Sequence, residues 1–75
     1  MANSTVKFKV LTPKEFNKRY PEALACTDGN IVGEVLIPGH GWHACLVGGH
    51  GKPTRFYSDD DGWEPAPVGV KFEQV

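Results

Sequence analysis

From residue 22 onward the chain is a succession of short apolar segments, each cut by glycine, proline or an aspartate-rich turn. A chain so punctuated has no room for a long helix, and its periodicity is that of strands. Residues 31–37 alternate, with Ile31, Gly33, Val35 and Ile37 on one face and Val32, Glu34 and Leu36 on the other. Residues 42–47 oppose Trp42, Ala44 and Leu46 to His43, Cys45 and Val47. Apolar side chains on both faces are expected of a central strand covered on both sides. Weaker extended segments are expected at 23–27, 54–57 and 68–74, and the proline-rich stretch 63–67 is also extended. The turns between them fall at 28–30, where Asp28-Gly29 is a hairpin signal, at 38–41, at the glycine-rich 48–53 and at the acidic 58–62.

Ahead of this region lie one strand and one helix. Val6, Phe8 and Val10 share a face of residues 5–11, with Lys7 and Lys9 on the other, wet face. Thr12, Pro13 and Glu15 form a helix start in which Thr12 caps, Pro13 opens and Glu15 completes a capping box. The helix is expected over about 13–20, ended by Pro21, with Phe16 and Tyr20 on its buried side and Leu11 or Leu24 beside them. The fold class is α+β and mostly β: a strongly curled antiparallel sheet, or small open barrel, with one short helix after the first strand. Curling is expected because a flat sheet of such short strands would enclose too little core. At 75 residues the chain is a single domain, 1–75, with 1–4 expected to be flexible. Only about 60% of its surface can be buried, which leaves a thin core.

The net charge of -1 hides an uneven balance. Residues 1–20 carry +4 and residues 21–75 carry -5, a separation that can steer a charged partner. No run approaches the length of a membrane span and no signal-peptide core follows Met1, so the cytoplasm is expected, with Cys26 and Cys45 reduced.

His40, His43 and His50 lie near Cys45 in sequence, with Cys26 upstream. Four of these five could make the ligand set of a structural zinc, but no short Cys-x-x-Cys knuckle is present. Zinc therefore stands as an alternative, and no cofactor is expected. His43 and Cys45 are also a base and a nucleophile by type, though at i, i+2 on a strand they are about 7 Å apart. Asp59-Asp60-Asp61-Gly62 lacks the ligand spacing of a calcium loop, and Pro53 stands where a phosphate loop needs a hydroxyl. Single-stranded nucleic acid, bound through Lys7, Lys9, Phe8 and Arg55, is a further alternative. It is weakened because the lysines and Phe8 fall on opposite faces. No catalytic set emerges, and the chain is expected not to be an enzyme.

What remains is an acidic turn bracketed by aromatic residues on a stiff loop, the composition of a protein-contact surface. The expected function is a small protein-binding module, an accessory or inhibitory regulator acting as a monomer or homodimer. Its expected contact residues are Tyr57, Asp59, Asp60, Asp61, Trp63 and Glu64, aided by Lys14, Lys18 and Arg19 on the helix. Trp42 is assigned to packing, and Trp63 is divided between packing and contact.

Overall fold

The structure, a computed structural model, describes residues 5–24, 30–58 and 60–75. Strand β1 (Thr5–Leu11) leads into helix α1 (Pro13–Arg19) and a single helical turn, α2 (Pro21–Leu24). Strands β2 (Ile31–Ile37), β3 (Gly41–Val47), β4 (Pro53–Ser58), β5 (Gly62–Pro65) and β6 (Lys71–Gln74) follow. They form one six-stranded sheet in the order β5-β4-β3-β2-β1-β6. Neighbours are antiparallel except β1 and β6, which run parallel with Thr5 opposite Lys71 and Phe8 opposite Gln74.

Chain length explains the curl. β5 and β6 occupy opposite rims, about 24 Å apart if the sheet were flat. The link 66–70 spans roughly 20–22 Å at full stretch. It must also travel back along the sheet, because β5 and β6 point the same way. A flat sheet cannot satisfy that link, so the sheet rolls until its rims approach. The Phe72 ring of β6 stands edge-on to Phe8 at 6.3 Å and to Phe56, on β4, at 6.1 Å. β5 and β6 are not hydrogen-bonded to each other, so the barrel stays open.

The two faces hold separate cores. Val6, Phe8, Val35, Cys45 and Val47 fill the concave side, closed by Ile37, Phe56, Val70 and Phe72. Phe16, Ala23, Val32, Ala44 and Leu46 fill the helix side, joined by Leu11, Tyr20, Tyr57 and Trp63. β3 contributes to both, as its two-faced apolar pattern requires. The expected cap is present in part: the Glu15 N–H donates to Thr12 Oγ1 at 3.1 Å and Pro13 opens the first turn, while the Glu15 carboxylate turns to Arg19 instead of closing the box.

Several local expectations change. The helix ends at Arg19, with Tyr20 as its cap. Ala23 and Leu24 lie in a helical turn rather than a strand, because Pro21 opens a new turn with Glu22 behind it. The hairpin expected at Asp28-Gly29-Asn30 falls largely outside the described residues, as does the remainder of 23–27. β1 lies inside the sheet, between β2 and β6. Val10 is exposed despite sharing a face with Val6 and Phe8, since its cross-strand neighbour is Gly33, which offers no side chain to pack on.

Candidate functional site

A buried carboxylate fixes the helix over the sheet. Glu34 projects from the middle of β2 toward α1 and is 3% exposed. Arg19 Nη1 donates to it at 2.6 Å and the Tyr20 hydroxyl at 2.7 Å, and Lys9 Nζ lies 3.6 Å away. Arg19 Nε also donates to Glu15 at 3.0 Å. Burial, and next the bond to Glu34, pushes the Tyr20 hydroxyl well above its ordinary range. A buried charge is tolerated only when paired in this way. The network places the end of α1, and hence Tyr20, at a defined point over β2 and β3.

Next to Tyr20 the sheet opens. β3 and β4 pair from Val47 and Pro53 to Cys45 and Phe56, with a register shift that leaves Thr54 without a partner residue. Such a bulge bends its strand and increases the local twist. Beyond Cys45 and Phe56 the ladder stops, although β3 continues back to Gly41 and β4 on to Ser58. β4 turns instead with β5, which pairs with it as far as Ser58 opposite Gly62.

Three adjoining depressions occupy this splayed end, and Tyr57 lines all of them. One, of about 180 Å³, lies against Arg19, Tyr20 and Pro21. A second of about 180 Å³ lies between Tyr20, Trp42 and Ala44 on one side and Ser58 on the other. The largest, about 450 Å³, opens toward the concave face and is walled by Ile37 and Phe56, with His40, His43, Asp61 and Glu64 around it. Together they make a trough from the end of α1, through the gap between β3 and β4, to the acidic turn. The turn 37–40 that carries His40 is closed by a 2.9 Å bond from the His40 N–H to the Ile37 carbonyl. Gly39 has φ +83, the conformation expected after a proline in such a turn.

The expected contact residues divide. Tyr57 lines the trough; Glu64 and Asp61 border it, and Asp60 is exposed beside them. Asp59 lies outside the described residues. Trp63 is turned inward, its ring 5.2 Å from Tyr57, and its Nε1 is buried, so it supports Tyr57 from behind. Lys14 and Lys18 are exposed on α1, whereas Arg19 is engaged by Glu34 and Glu15 while still bordering the trough. Trp42, expected in the core, is 40% exposed, with Lys9 Nζ held 4.8 Å from its ring centre. Trp42, Tyr20, His40 and His43 are trough residues that the sequence reading did not assign to a contact surface.

Cys45 is free and fully buried, and burial pushes its thiol up from 9.0 to about 12. It packs with Val6, Phe8, Val35 and Val47 in the concave core. His40 and His50 precede and follow β3, at opposite ends of the strand, and Cys26 lies outside the described residues. Among the described residues, no group of three or more His, Cys, Asp or Glu side chains is placed to hold a metal. No described helix is long and apolar enough to cross a membrane. The chain matches no protein-family model, no curated protein and no solved structure.

Proposed function

We propose that this chain is a non-catalytic protein-binding module, an accessory or inhibitory regulator in the cytoplasm, and that its partner occupies the trough at the splayed end of the sheet. The observation that carries this is the convergence of three adjoining depressions on Tyr57, where β3 and β4 part. Aromatic anchors in a depression with a polar rim are the features that dominate protein contacts. Tyr20, Trp42 and Tyr57 supply the anchors, and Asp60, Asp61 and Glu64 supply the rim.

The test uses residues outside the two cores. Trp42→Ala and Asp60→Lys are each expected to weaken capture of the partner at least ten-fold while shifting the melting temperature by less than about 5 °C, roughly 1 kcal/mol. Unchanged capture by both variants contradicts the proposal. Trp63→Ala is unsuitable, because it removes the support behind Tyr57.

A second reading has one observation in its favour. Trp42 lies on the lysine face, under Lys9, so the aromatic and basic groups separated at Phe8 meet at Trp42 instead. Single-stranded nucleic acid bound there would show salt-dependent affinity that falls when Lys7 and Lys9 are neutralised.

A further inference from the structure

We infer that the largest depression of the trough is an anchor pocket for an arginine side chain on an extended segment of the partner; this rests on the protein-binding reading above and names the partner's chemistry. Among the described residues, Asp61 and Glu64 are the only Asp, Glu, Lys or Arg residues that line the depression, so the fixed charge they present is negative. Its walls are apolar and aromatic: Ile37, Phe56 and Tyr57. A planar guanidinium suits both features, since it binds carboxylates through paired N–H groups and stacks on aromatic faces, which a compact ammonium does less well. At about 450 Å³ the space is of a size that encloses a side chain together with part of its backbone.

The pocket also abuts main chain that the sheet leaves without a ladder. Among the described residues, β3 before Cys45 and β4 after Phe56 show no pairing with each other. An extended segment entering the gap meets strand backbone there, and main-chain bonding of that kind supplies affinity while side-chain pockets supply specificity. Asp61 anchors the turn through its backbone, whose N–H donates to Ser58 Oγ at 3.1 Å. Its carboxylate is exposed, as is Glu64, so both can be neutralised with the turn retained.

The test is an amide-resolved NMR titration of the whole chain with a capped pentapeptide carrying one central arginine between glycines and serines. The same peptide with citrulline is the neutral control of equal shape. Shifts are expected at Ile37, His43, Tyr57 and Glu64, and citrulline is expected to bind at least five-fold more weakly. The double variant Asp61→Asn, Glu64→Gln is expected to lose the preference for arginine and keep its dispersed spectrum. Equal binding of the two peptides, or shifts confined to other parts of the sheet, overturns the anchor. A partner complex that survives Asp61→Asn, Glu64→Gln but is lost with Trp42→Ala overturns the anchor alone. Unchanged capture by Trp42→Ala and Asp60→Lys overturns the reading beneath it.

Discussion

At the residue scale, buried Cys45 and half-buried Tyr20 are expected to make the fold sensitive to alkali. Cys45 and Tyr20 both hold their protons more tightly folded than unfolded, the thiol up to about 12 and the phenol above its ordinary 10.0. The unfolded chain releases these protons first as pH rises, so stability falls in that direction. The contribution is whole below about pH 9 and is lost progressively as pH climbs toward 12. Melting followed by circular dichroism under reducing conditions is expected to show a fall of about 5–10 °C between pH 8 and pH 11. Cys45→Ala, although less stable throughout, is expected to show a shallower fall, and an unchanged melting temperature at pH 11 would contradict the assignment. Glu34 belongs to the same scale. A glutamate inside the apolar run 31–37 signals a buried partner, but sequence spacing could not name Arg19 and Tyr20 as the donors, because they lie on a separate element.

At the element scale, the strands and the capped helix were legible because their signals are local. Alternation set the faces of β2 and β3, and Thr12, Pro13 and Glu15 set the start of α1. Pro21 was misjudged because a proline that ends one helix is equally suited to open the next. The splay of β3 from β4 and the bulge at Thr54 were not legible, since their signal lies in the pairing of two strands rather than in any one residue. Gly33 illustrates the same limit. Its strand face was readable, but a Cβ there would fall on the Lys9 carbonyl oxygen of β1, a closeness visible only after β1 and β2 are paired. Gly33→Ala is expected to destabilise the chain by about 2–3 kcal/mol, the cost of overpacking against backbone that cannot move aside. Chemical denaturation measures this directly, and a change under 0.5 kcal/mol would contradict so tight an approach.

At the scale of the whole molecule, one topological fact governs the rest. The chain returns from β5 to β6 through a link too short for a flat sheet, and the roll that results brings Phe72 onto Phe56 and closes the concave core. With one face occupied by that core and the other by α1 and α2, three depressions lined by described residues adjoin at the end where β3 and β4 part. The curl was expected from core volume alone, while the proposed contact surface is the trough rather than the acidic turn beside it, because Trp63 packs inward and Trp42 faces out. The most direct test places a photo-cross-linking phenylalanine derivative at Trp42, within the trough, and separately at Lys52, on the exposed turn beyond the opposite end of β3. In the native cell a discrete cross-linked partner is expected from position 42 and none from position 52. The same partner captured equally from both positions, or only from 52, would contradict the assignment of the splayed end as the binding surface.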